Sequence, residues 1–311
     1  MGKGNILSLL ILTLLIIIFP IVIKDTYLHT IGIFAGINAL VAIGLTILMG
    51  YAGQISLGQA AFYGIGAYIS AILSLHFGLP VILSIFLALL VASTAAIILA
   101  IPALRFKGHY LAVATLGFGE IIHIMLHEWG PGGPSGFGDI PKMNLFGFTF
   151  TSTNDYFYLV WICVVVIMIF SLNLINSMTG KALQAMHGSE IATQTAGINL
   201  TKLKIKVFIL SSIYASLAGA MYAHYVTFLS PSSFSLFHSV FFLMMVIIGG
   251  ISNIWGGIVG ALIITILPEV LRGFKEFDIL LYGLILTLFL LFMRKGLVPM
   301  TIATYKRWIH R

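Results

Sequence analysis

The sequence predicts an all-α polytopic membrane protein of about ten transmembrane helices with both termini in the cytoplasm, and three observations carry that expectation. The first is composition: 60% of the 311 residues are hydrophobic and 8% are charged, with a mean hydropathy of +1.10, whereas a soluble domain carries about 25% charged residues. The second is a succession of apolar runs close to the roughly 20 residues that cross a bilayer core as a helix. The third is the placement of the basic residues. Lys3, Arg105, Lys107, Lys181, Lys202, Lys204, Lys206, Arg294, Lys295, Lys306, Arg307 and Arg311 fall on one side of the alternating loops, and Lys24, Lys142, Arg272 and Lys275 on the other. That bias places the first side in the cytoplasm. The net charge of +7 is therefore a topology signal and not a nucleic-acid footprint, because the basic residues border apolar spans and form no basic domain. The single cysteine, Cys163, lies inside an apolar run and excludes a disulfide framework or a cysteine metal site.

Taken in order, Lys3 precedes an apolar run over residues 6–23 that ends in Lys24 and Asp25 without a small-residue cleavage site, so it is a retained first span. Residues 31–49 form the second span, and a glycine-rich stretch then leads into a third that ends near His76. Pro80 opens a fourth, and Pro102, Arg105, Lys107 and Gly108 mark a short basic loop before the fifth at residues 110–126. The sixth covers residues 156–174 and the seventh 207–228. Beyond the turn SPSSFS, an apolar stretch interrupted by GGISNIWGG gives two more, and residues 279–293 give the last. The chain, 1–311, is expected to be one transmembrane domain with a cytoplasmic loop at 178–206 and an external loop at 128–156. The external loop carries GPGGPSG, whose turns suit a plug or a docking surface.

The stretch GYAGQISLGQAAFYGIGAY, residues 50–68, is too apolar for a water-exposed loop, yet it holds five glycines with Gln54, Ser56 and Gln59. If it is helical, Gly53, Ser56, Ala60, Gly64, Ala67 and Ala71 fall at spacings of three and four and make a face of small side chains that admits a second backbone. Gln59, Tyr63, Gly66 and Ser70 form a more polar face beside it, whose buried groups need partners or water. Two readings follow. One is tight helix packing. The other is a polar path along Gly53, Gln54, Ser56, Gln59, Tyr63 and Gly64; Leu57 and Ile65 lie off the small-residue face and are expected to tolerate apolar replacement wherever they meet lipid.

In the fifth span Glu120, His123 and His127 share a helical face. Two imidazoles and a carboxylate at this spacing suit a metal in principle, but no hydrolase motif accompanies them and no metal is expected. Glu120 stands apart, because an acidic residue inside a span faces the bundle interior or a wet cavity; its plainer role is a hydrogen-bonding anchor between helices. The loop GKALQAMHGSEIATQTAGINLTKLKIK, residues 180–206, begins as a short helix with Leu183, Met186, His187 and Ile191 on one face and Gly197 as its cap. Such a helix either lies on lipid, to which Lys181 and the later lysines are suited, or docks into a partner's groove, the reading its short apolar face favours.

The segments GYAGQISLGQAAFYGIGAY, RFKGHYLAVATLGFGEII, GGPSG, GKALQAMHGSEIATQTAGIN, YASLAGAMYAHY and GGISNIWGGIVGA, in this order, resemble the branched-chain amino acid permeases of bacterial ABC importers. The likeness is closest to the longer, M-type subunit of the leucine/isoleucine/valine system and spans nearly the whole chain. The resemblance implies a permease subunit in the bacterial plasma (inner) membrane that forms the translocation path with a second permease. It also implies two ATP-binding subunits and an external substrate-binding protein as partners, and no cofactor of its own. The loop from Lys181 to Asn199 is then the coupling element, with Lys181, Leu183, Met186, Glu190 and Gly197 facing an ATPase. Many importer permeases carry Glu-Ala-Ala with a glycine six residues after the glutamate; here Glu190 is followed by Ile191 and Ala192, with Gly197 seven residues on. Related permeases carry urea or short amides, and the same motifs fit that alternative.

Readings from other classes fit less well. A secondary transporter or channel places coupling ions on ionisable residues or broken helices near the midplane, and only Glu120 and Glu269 are available. A membrane enzyme lacks paired carboxylates or a nucleophile with its base. The chain contains no Gly-x4-Gly-Lys-Ser/Thr loop for nucleotide, so ATP hydrolysis is expected on a separate subunit.

Overall fold

The computed structural model describes residues 3–103, 108–145, 148–271, 283–284, 287–288, 291 and 296–301. Among them the chain is helical, apart from one short hairpin. In chain order the helices are α1 (Lys3–Val22), α2 (Thr26–Thr46), α3 (Gln59–Leu75), α4 (Val81–Ala103), α5 (His109–Trp129), α6 (Thr153–Asn176), α7 (Met178–Gly188), α8 (Glu190–Thr195), α9 (Leu200–Val226), α10 (Leu236–Gly249) and α11 (Ile254–Leu271). The hairpin pairs β1 (Asn144–Leu145) with β2 (Phe148–Thr149) in antiparallel register. Among the described residues seven helical segments are long and apolar enough to cross a membrane, including Thr26–Tyr51, in which α2 runs on for a further turn. Two apolar helices, α3 and α10, are shorter. The last expected span, residues 279–293, lies for the most part outside the described residues.

Side-chain caps set where several helices start. Asp25 accepts from the Tyr27 amide at 2.9 Å before α2, and Asn199 from the Lys202 amide at 3.0 Å before α9. Ser177 and Ser189 cap α7 and α8 in the same way. Each such oxygen meets one of the amides that a helix start leaves unpaired, worth about 1 kcal/mol.

The core is built around α2, which is apolar on all sides because it is surrounded by α6, α9, α10 and α11. Most of its residues are buried, whereas α1 touches the bundle mainly along α6 and leaves Leu7, Leu10, Leu14 and Ile21 exposed. The second packing unit is α3 against α9 and α4. There the backbones cross at glycine: a Cβ on Gly66 would collide with the carbonyl oxygen of Ser216, and one on Gly219 with that of Tyr63. Small residues allow this approach, and close packing with interhelical hydrogen bonds drives association in lipid where the hydrophobic effect does not. Trp161 Nε1 donates to the Gly32 carbonyl at 3.1 Å, and Tyr156 Oη to that of Met221 at 2.5 Å.

Three expectations change here. The stretch from Gly53 is not one helix: α3 begins at Gln59, so Gly53 and Ser56 do not extend its small face. The glycine at the closest backbone crossing is Gly66, from the face read as polar, whereas a Cβ at Gly64 would meet side-chain atoms of Leu126 at 3.0 Å and Phe234 at 3.2 Å. Ile65 is buried at 8% exposure and does not face lipid. A helix face is defined by the neighbour it meets, and spacing within one helix does not name that neighbour.

Two ends of the bundle are distinct. At one, α7, α8 and the start of α9 lie beside the end of α2. At the other, residues 130–140 fold over the link between α9 and α10, where Phe137 and Leu229 exchange backbone hydrogen bonds of 3.0 and 2.8 Å.

Candidate functional site

The site is the interruption between α2 and α3. After Thr46 the chain loosens into a π-helical turn, Ile47–Tyr51, and the amides of Ala52, Gly53 and Gln54 still reach back to Ile47, Met49 and Leu48 at 3.0 to 3.2 Å. Gly53 then takes φ +67°, a left-handed value that costs other residues about 1 kcal/mol or more. From there the chain is non-helical up to Gln59. Its amides are met by hydroxyls of distant helices: Leu57 N donates to Thr115 Oγ1 and Ala60 N to Ser239 Oγ, each at 3.0 Å. Thr115 stands six residues into α5, about 9 Å along its axis. The interruption therefore runs inside the bundle, where irregular backbone is tolerated only when protein buries it or when it lines a wet cavity. Gly58 and Gly119 let α5 lie directly over it, with Gly58 against the Thr115 carbonyl.

The polar side chains of this segment are almost fully enclosed. Gln54 is 3% exposed, Ser56 1%, Gln59 1% and Tyr63 2%. Ser56 Oγ accepts from the Gly58 amide at 3.4 Å. Neither the oxygen nor the nitrogen of the Gln54 and Gln59 amides has a partner among the described residues. An amide left so costs about 1–3 kcal/mol per unsatisfied group, and buried polar groups in native proteins are met by protein or ordered water. Gln54 in the irregular segment and Gln59 at the start of α3 are thus two enclosed amides that no described residue meets. Tyr63 sits further along α3 in an aromatic cluster with Tyr222, Phe234, His238 and Phe242, at ring separations of 5.4 to 6.2 Å.

The interruption is tied to α7. His187 Nδ1 bonds the Gly50 carbonyl oxygen at 3.0 Å, and its ring lies against Gly53, with Cγ 3.3 Å from where a Cβ would stand. On the same helix Leu183 and Met186 are each 2% exposed and hold α7 to the bundle, while Lys181 is exposed. The expected single face from Leu183 to Ile191 is broken, because Ser189 starts a new helix and leaves Ile191 76% exposed on α8. Gly197 follows α8 at φ +81°, as a C-terminal cap requires. Glu190 Oε1 accepts from Lys204 Nζ at 2.6 Å, and both line a surface hollow of about 400 Å³ with Gln194, Asn199 and Thr201.

Glu120 is not part of this site as the chain stands. It is exposed on the outward side of α5, whereas Thr115, Phe118 and Leu126 on the inward side pack toward α3. His127 Nδ1 bonds Glu128 Oε1 at 2.8 Å, and the His123 and His127 rings are 6.4 Å apart. Among the described residues no group of three His, Cys, Asp or Glu could hold a metal.

A second interruption adjoins the first. Gly250 takes φ +118°, Asn253 Oδ1 accepts from Trp255 N at 3.0 Å, and α10 and α11 pack so closely that a Cβ on Gly249 or Gly260 would strike the carbonyl of Gly256 or Met245. Gly50 abuts the Ile251 carbonyl, so the two interruptions touch. Thr115, Ser239 and the His187 link were not among the expected site residues; each acts across 58 to 179 residues of chain and carries no local signal.

A helical bundle with an interrupted, polar-lined element inside it is the build of a membrane permease. Residues 27–293 match the family described as "Branched-chain amino acid transport system / permease component". The chain is 34% identical over 290 residues to the high-affinity branched-chain amino acid transport system permease protein LivM of Salmonella typhimurium, covering 85% of this chain and 68% of that one. The LivM protein of Escherichia coli K12 matches to the same extent. The probable branched-chain amino acid transport permease protein LivM of Methanocaldococcus jannaschii is 22% identical over 315 residues, 85% of this chain and 91% of that one. No solved structure matches. The chain belongs to the family of permease components of branched-chain amino acid transport systems.

Proposed function

We propose that this chain is one permease subunit of a bacterial ABC importer for branched-chain amino acids in the plasma membrane. It forms the translocation path with a second permease, is driven by two separate ATP-binding subunits and receives substrate from an external binding protein. Both termini, α7 and α8 lie in the cytoplasm in this reading, and residues 128–156 outside. One observation carries it: the His187 bond to Gly50 joins an exposed helix at the bundle's end to an irregular, amide-lined segment within the bundle. A subunit docked on α7 and α8 through Lys181, Glu190 and the hollow around Lys204 thereby acts on Gly53, Gln54 and Gln59 without touching them.

Purification from the native membrane tests this. An ATPase is expected to co-purify, and proteoliposomes of that complex take up leucine only with ATP. Leucine movement down an ion gradient by the chain alone, with no ATPase present, would overturn the reading.

A further inference from the structure

Among the described residues α1, α4, α5 and α6 present the longest outward sides, and α5 differs in carrying an exposed carboxylate well inside its length. On α1, α4 and α6 the large exposed residues are apolar, such as Leu10, Phe86, Ile98, Ile162 and Val166. On α5 the exposed side also carries apolar residues, among them Tyr110, Ile121, Met125 and Trp129, but the row Val113, Gly117, Glu120, Ile124 and Glu128, spaced by three and four, sets an acidic side chain among them well inside the helix. Glu120 stands eleven residues from the start of α5 and nine from its end, close to mid-membrane. Its carboxylate is exposed and makes no hydrogen bond or ion pair with any described residue. Gly117, one turn before it, has open space within 4 Å where a Cβ would be. One residue position away from this row, His123 Nδ1 is enclosed and unpaired among the described residues.

A carboxylate at that depth is not tolerated against lipid tails; it needs an opposite charge or water. No described residue supplies the charge, and the open space at Gly117 leaves a recess beside it. The inward side of the same helix covers the interruption through Thr115 and Gly119. We infer that the Glu120 side of α5 lines the water-filled path where this chain meets the second permease subunit, and that the Glu120 carboxylate is the contact for the ammonium group of the amino-acid substrate. The inference rests on the importer reading above and assigns a surface and a residue within it. A zwitterion with an apolar side chain suits such a lining: the carboxylate takes its ammonium end, and Val113 and Ile124 flank its hydrocarbon.

The test uses the assembled importer purified with its partners, after Cys163, the only cysteine, is replaced by Ala. Glu120→Cys and Gly117→Cys are expected to react with a charged, membrane-impermeant thiosulfonate at least tenfold faster than Leu10→Cys on α1. In the cysteine-containing parent, Glu120→Gln is expected to lower leucine uptake at least tenfold with the complex and its melting temperature unchanged, and Glu120→Asp to restore part of it. An ATPase in the preparation together with an unreactive Glu120→Cys overturns the inference alone, because Glu120 is then sealed by lipid or by a dry ion pair. Parental uptake by Glu120→Gln overturns it as well. Absence of the ATPase removes the importer reading and this inference with it.

Discussion

The two glycine-rich interruptions touch at Gly50 and Ile251 and look alike in sequence, each with glycines at a turn and small residues in the helix that follows. They are put to different uses. Around the second, Gly249, Gly256 and Gly260 let the backbones of α10 and α11 touch, and the Gly250, Asn253 and Gly256 amides all find carbonyls at 2.8 to 3.1 Å. The first closes its backbone with borrowed hydroxyls from Thr115 and Ser239, and encloses two glutamine amides without partners. One is a rivet and the other a seam. The difference lies in which residues fill the turn: Gln54 and Ser56, with Gln59 at the helix start, in the first, and Ile251, Ser252 and Asn253 in the second, where Asn253 Oδ1 meets the Trp255 amide and the enclosed group without a described partner is the Trp255 indole nitrogen.

The largest expected effect comes from filling the rivet. Gly260→Leu would drive a side chain into the Met245 carbonyl, and Gly219→Leu would do the same at Tyr63 where α9 crosses α3. Backbone cannot give way as a side chain can. Both variants are expected to leave no folded protein, seen as loss of the monodisperse peak in detergent and of a melting transition. Gly64→Leu meets only the Leu126 and Phe234 side chains and is expected to cost about 1–3 kcal/mol, the range for overpacking. Equal yields of Gly260→Leu and Gly64→Leu would break the distinction between backbone and side-chain contact.

A smaller effect separates the interruptions by function. His187→Ala removes one hydrogen bond to Gly50 and is expected to lower stability by about 0.5–1.5 kcal/mol. Asn253→Ala removes a turn contact of similar worth. If only the first interruption is wired to the ATPase side, His187→Ala lowers ATP-driven uptake several-fold more than Asn253→Ala does at matched stability. Equal uptake in the two variants would remove the special place of the α7 link.

Much of this fold was legible in the sequence because apolar length alone sets a membrane span. The runs at residues 6–23, 31–49, 156–174 and 207–228 each emerge within α1, α2, α6 and α9, with offsets of a few residues at their ends. The site was legible as a region and not as a geometry. Gly50, Gly53 and Gly58 signal a break before the helix, but the apolar residues between them do not say where it ends, so nothing local announces that α3 waits until Gln59. The amides freed there are met by Thr115 and Ser239, and a hydroxyl two helices away leaves no mark on the spacing. Gly66 was assigned to the polar face for the same reason: its partner, the Ser216 carbonyl, belongs to α9. Glu120 was expected to face the bundle interior or a wet cavity, and it is exposed on the outward side of α5, because spacing along one helix does not say which side its neighbours cover.

The smallest expected change in stability belongs to Gln59, and it bears most directly on whether the seam is a path. Gln59 is 1% exposed and its side-chain amide has no described partner, so the native fold bears its desolvation unless water or solute meets it. Gln59→Leu keeps a similar volume and removes the polar group, while Gly66 and Gly219 still close the α3–α9 crossing. If the pocket around Gln59 is dry, the variant is more stable by about 1 kcal/mol, since an unpaired buried amide is gone. If the pocket holds water, the change is close to zero, because hydrogen bonds to that water are lost along with the cost of burying the amide. Transport separates the roles further: a path that loses one of its two amides slows several-fold, whereas a mere packing position does not. The informative result is a melting temperature at or above that of the parent together with slower leucine uptake at equal ATPase content. Parental uptake in Gln59→Leu would take Gln59 out of the path and leave the first interruption, like the second, as packing.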